Sequence, residues 1–163
     1  MCRKPWVKKD EGLITLNREL DADAFQLYLD WLYTGELHIS EAIDRDSDEF
    51  NIHLLKAWVV SDVIDNDHEF EKLIVAQHFA TIDEEDNKGF GFDAIRFAFQ
   101  NQNHRYMQRF VAESVYAHAA WDVINHDMDS YPGEFVRQLC LAGMNFKQNQ
   151  GTKARRELRK DWK

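Results

Sequence analysis

Two consecutive stretches of this chain are apolar on nearly every side, which no solvent-exposed helix sustains. The first, DADAFQLYLDWLYTGEL (21–37), places Phe25, Leu27, Tyr28, Leu29, Trp31, Leu32 and Tyr33 within nine positions. At about 100° per residue, Asp23, Gln26, Asp30 and Thr34 gather in an arc of roughly 80°, and the rest of the circumference is apolar. The second stretch carries Phe50, Ile52, Leu54, Leu55, Ala57, Trp58, Val59, Val60, Val63 and Ile64, again around most of a helix. A surface helix needs only one apolar stripe. Two such neighbours cannot satisfy each other across a single contact, so the fold requires a third layer. At about 25 cal/mol per Å2, one large aromatic left in water forfeits on the order of 2–3 kcal/mol. The cover is expected from the later helices, from a second chain or from a segment that this sequence lacks.

Local signals divide the chain into mostly helical pieces. Gly12 to Leu16 reads as a short strand, and the alternation of Leu37 and Ile39 with His38 and Ser40 suggests a second. Asp21 or Asp23 is suited to N-cap the first helix, and Gly35 to stop it. Ser47 or Asp48 caps the second helix, which runs through Ile64. Further helical patterns lie near 67–82, 92–101, 104–124 and 132–148, the last opened by Pro132. The charged and glycine-punctuated run TIDEEDNKGFGF (81–92) is the clearest break.

Length and composition suit one folded domain, or one domain with a tail: 163 residues, 44% hydrophobic and 13% aromatic. Apolar runs are too short for a membrane span, and the basic N-terminus leads into no signal-peptide core. Cys2 and Cys140 form no CxxC pair, so reduced thiols and an intracellular location, cytoplasmic or nuclear, are expected. Cys140, between Leu139 and Leu141, is expected to be a buried, inert thiol. The net charge of −9 is unevenly spread. Residues 10–86 hold 21 acidic and 4 basic side chains, whereas the last 17 residues, 147–163, hold 7 basic and 2 acidic ones. The acidic part would repel nucleic-acid phosphates. Lys153, Arg155, Arg156, Arg159 and Lys160 in the tail are the candidate basic contact, set against the plainer reading of a solvated terminal helix.

Motifs for chemistry are incomplete. DRDSDEFNIHLL places Asp44, Asp46 and Asp48 at calcium-loop positions 1, 3 and 5, but Glu49 replaces the turn glycine and Leu55 the bidentate glutamate. The seven histidines, His118 among them, form neither HExxH nor a Cys/His quartet, and a lone helical histidine reads as a hydrogen-bonded packing residue. Ser114 sits in VAESVY without a GxSxG elbow, and GFGF lacks the third glycine of a dinucleotide loop. No catalytic, cofactor-binding or metal-ligating residue is assigned, no cofactor is expected, and a non-enzymatic role follows.

GLITLNRELDADAFQLYLDWLYTGEL followed by LLKAWVVSDVIDNDHEFEKLIVAQHF resembles the C-terminal part of a BTB/POZ domain in its fungal form. The resemblance rests on Phe25, Tyr28, Leu29, Trp31, Leu32, Tyr33 and Gly35, then on Leu54 and Leu55, and continues loosely through AIRFAFQN, Arg105 to Arg109 and YPGEFVRQL. It covers residues 5–82 closely and 92–145 loosely. A complete domain of this family would begin with a strand pair, an interface helix and a helical hairpin, so the resemblance implies that this sequence lacks that part. It also implies that the motif residues pack inside the domain, and that function is protein–protein interaction, by self-association or as an adaptor. Family members that recruit cullin-type scaffolds carry a glutamate where Lys8 stands after Trp6 and Val7; the reversed charge counts against that partner. The expected fold is mainly α: a partial BTB/POZ-like α/β domain with two short strands (1–82), a linker (83–91), a helical extension (92–148) and a basic tail (149–163). The expected function is a non-enzymatic interaction module binding a protein partner or itself. The alternative is a nucleic-acid-associated regulator acting through the tail.

Overall fold

The computed structural model describes residues 7–8, 14–15, 20–40, 43–45, 47–64, 68–82, 89–100, 104–118 and 128–146. The described chain is mainly helical. Its α-helices are α1 (Ala22–Thr34), α2 (Asp48–Ile64), α3 (His68–Ile82), α4 (Phe92–Gln100), α5 (Arg105–His118) and α6 (Gly133–Phe146), with a short 3-10 turn at Met128–Ser130 before the last. Of the expected strands at 12–16 and 37–40, neither builds a sheet layer. A two-residue antiparallel contact joins β1 (Val7–Lys8) to β2 (Ile14–Thr15), Val7 opposite Thr15. Residues 37–40 are irregular. The alternation there records that Leu37 and Ile39 turn onto the core, and burial on one side makes no strand without a neighbour to complete the ladder.

Helix ends follow local chemistry. Asp21 has an extended backbone and its Oδ1 accepts the Ala24 amide at 3.1 Å, so it is the N-cap of α1. Gly35 closes the helix at φ 74°, a left-handed position that costs a side-chain-bearing residue strain, and its N–H donates to the Trp31 carbonyl at 2.7 Å. Ser47 Oγ accepts the Phe50 amide at 3.2 Å and caps α2. Asp48 is thereby released for a distant task. Its Oδ1 accepts the Gly91 amide at 2.9 Å, and its Oδ2 accepts those of Asp93 and Ala94 at 2.8 and 3.0 Å. An aspartate in the first turn of α2 therefore caps α4. A Cβ at Gly91 would lie 2.8 Å from Asp48 Cγ, so only glycine allows this approach.

The third layer lies within the chain. α2 is the hub, with α1, α3 and α4 packed around it, while α5 and α6 pack on each other and on α4. Phe50, Leu54, Leu55, Ala57, Trp58 and Val60 of α2 are all buried. α1 buries Ala24, Leu27 and Tyr28, and Tyr28 and Trp31 each bring their rings 5.0 Å from Phe70 of α3. A second aromatic nest surrounds Phe110 of α5, with Trp58, Phe90 and Phe79 at 5.4, 5.7 and 5.9 Å. α6 turns Phe135, Leu139 and Ala142 inward at helical spacing. One hydrophobic core thus includes residues from both sides of the expected linker, and Phe90, within that linker, is buried. Cys140 departs from its expected burial. It is an exposed free thiol, because the α6 register that buries Leu139 points its successor to solvent.

Candidate functional site

Three polar side chains from different helices meet inside the core. Asn51 of α2 donates from Nδ2 to the Gly89 carbonyl at 3.0 Å, which leaves its Oδ1 to face His78 Nδ1 of α3 at 3.2 Å. That acceptor places the imidazole proton on Nδ1. Nε2 then carries a lone pair and accepts the Ser114 hydroxyl of α5 at 2.8 Å. The order serine, histidine, asparagine matches a nucleophile, its base and an orienting group. Its surroundings do not suit that chemistry. All three side chains are buried, the Phe90 ring stacks on His78 at 4.0 Å, and Phe110 meets it edge-on at 5.3 Å. Burial, reinforced by the charge of His118, pushes the His78 pKa down to about 3, so the ring is neutral near pH 7. A sealed serine reaches no substrate; the arrangement instead ties α2, α3 and α5 together with each polar group satisfied. His118 itself faces the Ser114 carbonyl from Nδ1 at 3.0 Å.

Outside the core, two accessible features stand out, one apolar and one mixed. At the end of α1, Leu32 is 53% and Tyr33 89% exposed, whereas Tyr28 and Trp31 of the same helix rest on Phe70. Among the residues of the WLYTG segment and its surroundings, Tyr28 is buried, Phe25, Leu29 and Trp31 are half-buried, and Leu32, Tyr33 and Gly35 face solvent. Leu54 and Leu55 lie in the core. A second feature is a groove of about 270 Å3 between α5 and α6, lined by Arg109, Glu113, Gln138, Leu141, Ala142 and Asn145. Arg109 Nε donates to Glu113 Oε1 one turn along α5 at 2.7 Å, so the charges on that wall of the groove are already matched. Lys153, Arg155, Arg156, Arg159 and Lys160 lie outside the described residues, as do Trp6 and the Asp46 of the calcium-like run.

Among the described residues, no three histidine, cysteine or carboxylate side chains converge as a metal site, and no helix is long and apolar enough to cross a membrane. No family model, curated protein or solved structure matches the chain. His78, Ser114 and Asn51 were each visible in the sequence, but 27 and 36 positions separate the bonded pairs, and no local spacing announces such contacts.

Proposed function

We propose that this chain is a non-enzymatic protein-interaction module of BTB/POZ type that acts inside the cell, in cytoplasm or nucleus, and binds a protein partner or a second copy through the open flank of α1. The observation that carries the reading is the pairing of Leu32 and Tyr33, 53% and 89% exposed, on a helix that buries Ala24, Leu27 and Tyr28 on another face. A large aromatic held in water at the end of a well-capped helix gains free energy when a partner covers it, and aromatic anchors dominate such contacts. The sealed state of Ser114 and His78 removes the best-placed nucleophile from consideration and favours binding over catalysis.

Light scattering across a concentration series, together with cross-linking in cells and identification of the captured chain, tests the reading. The native chain is expected to associate with itself or with one defined partner. Leu32→Asp combined with Tyr33→Asp is expected to abolish that association while leaving the melting temperature within a few degrees, because exposed positions contribute little to folding. A chain that stays monomeric throughout and captures nothing that depends on Leu32 and Tyr33 would overturn it.

A further inference from the structure

α5 and α6 lie side by side and end at the same level. Tyr116, near the end of α5, touches α6 at Gly143, where an added Cβ would lie 3.0 Å from Tyr116 Cε2. Earlier on both helices, Arg109 and Glu113 share the groove of about 270 Å3 with Gln138, Leu141, Ala142 and Asn145. The two helices therefore run in the same direction, with the groove open between them. Large apolar side chains border it. Leu141 is 41% exposed, Met144, one turn further along α6, is 68% exposed, and Tyr106, one turn before Arg109, is 71% exposed.

The sequence that follows suits this surface. α6 ends at Phe146, and 17 residues come after it, KQNQGTKARRELRKDWK (147–163). The first six, KQNQGT, are polar and include Gly151, and six residues is an ordinary length for the connection between two antiparallel helices. In the remaining eleven, Ala154, Leu158 and Trp162 recur at every fourth position, the interval that aligns side chains on one helix face. The same interval sets Arg156 and Lys160 on the opposite face.

We infer that residues 153–163 return antiparallel along the groove between α5 and α6 and lay Ala154, Leu158 and Trp162 over its apolar border.

Length and charge both favour this occupant. At about 1.5 Å per residue, an eleven-residue helix spans about 16 Å, enough to cover the stretch from Asn145 back to Gln138, about 10 Å, without overrunning the 14 residues of α6. Leu158 then lies over Leu141 and Met144, and Trp162 arrives at the level of Arg109. That side chain is 54% exposed and offers its guanidinium to an indole face. Two helices that end side by side also bring together the negative ends of their dipoles. The last turn of α6 holds no basic residue, and that of α5 ends on His118. Lys147 and Lys153, at either end of the connection, supply positive charge there. A tether this short gives the segment an effective concentration on the order of millimolar, which favours its own groove over that of a second copy. The docked segment covers the apolar border of α5 and α6, and the end of α1 is left as the uncovered aromatic surface. The inference does not rest on the interaction reading above.

Amide hydrogen exchange on the full chain tests it. In the native chain, amides 155–162 are expected to exchange about tenfold or more slower than an unstructured segment of the same sequence, the factor that burial of one large apolar side chain supplies. Leu141→Asp combined with Met144→Asp, both at exposed positions, is expected to remove that protection and to leave α5 and α6 protected. Leu32→Asp combined with Tyr33→Asp is expected to leave the tail protected. Tail amides that exchange like an unstructured chain, or that stay protected in the Leu141→Asp and Met144→Asp chain, would overturn the inference. Protection that falls on dilution would overturn it as well, by assigning the segment to a second copy. Should the Leu141→Asp and Met144→Asp chain not fold, nuclear Overhauser contacts of native Trp162 and Leu158 decide. Contacts from either side chain to Leu141 or Met144 uphold the docking, and their absence refutes it. None of these readouts needs a partner, so failure here and failure of the interaction reading are separable.

Discussion

His78 is held by neighbours that belong to two other helices, and the cost of removing one of them is set by what remains. Ser114→Ala deletes the hydroxyl that faces Nε2 and leaves that lone pair buried beneath Phe110. An unsatisfied buried acceptor costs about 1–3 kcal/mol, so urea unfolding of Ser114→Ala is expected to show a loss of that size with an unchanged m-value. Phe70→Ala tests a different term at the same scale. Phe70 is wholly buried and supports both Tyr28 and Trp31, so its removal leaves a cavity between α1 and α3 and is expected to cost about 3–5 kcal/mol in the same measurement. A loss below about 1 kcal/mol would mean that α1 collapses onto α3 without strain. Single residues were unevenly legible in the sequence. The burial of Tyr28, Leu54 and Leu55 follows from the density of apolar neighbours, but the exposure of Leu32, Tyr33 and Cys140 depends on which faces the remaining helices cover, and periodicity alone does not state that.

Elements were the most legible level, because their ends are written in adjacent residues. Asp21, Ser47 and Gly35 act within four positions of their partners, where capping chemistry is local. The start of α4 is the exception. Its N-terminal amides are satisfied by Asp48, 43 to 46 positions earlier, so no reading of GFGFDA in isolation finds the cap. The same aspartate, fifth in a calcium-like run, owes its place to this helix. Asp48→Ala removes three acceptor contacts at once and leaves the positive end of the α4 dipole without its carboxylate. The expected cost is about 2 kcal/mol, with amide exchange accelerated first at Asp93 and Ala94. Gly91→Ala is expected to reproduce that pattern, since its Cβ would displace the Asp48 carboxyl, 2.8 Å away, without removing it. If exchange in Gly91→Ala rose uniformly through α2 instead, the damage would lie in the core and the capping account would fail.

Across the whole molecule, a buried imidazole and a half-buried carboxyl act on stability in opposite directions as pH changes. The apolar excess of α1 and α2 made a third layer necessary, and α3 and α4 provide it, but the polar bonds that lock those layers in register come from residues far apart in the sequence. His78 is the central one. Its folded pKa of about 3 lies below the ordinary 6.5, chiefly because burial penalises the charged ring. The stabilisation is therefore fully present above about pH 6.5 and is lost as pH falls towards about 3. By pH ~4.5 the loss from this ring alone is on the order of 2–3 kcal/mol. Asp21 adds nothing until lower pH. Burial would raise its carboxyl, but the hydrogen bonds from Lys56 and the Ala24 amide outweigh that and hold it below 3.8, so its contribution is lost only at still greater acidity. Burial raises the Glu71 carboxyl above the ordinary 4.5, so Glu71 gains stabilisation on acidification, and the native curve mixes the two effects. A His78→Gln chain separates them. It is expected to be less stable than the native chain near pH 7, having lost ring packing, yet to decline less between about pH 7 and about pH 4.5, because the group that must be charged on unfolding is gone. Urea unfolding of both chains across that interval gives the comparison. Parallel curves would place the acid sensitivity elsewhere, and converging curves would identify the buried imidazole joining α2, α3 and α5 as the point where acid opens the fold.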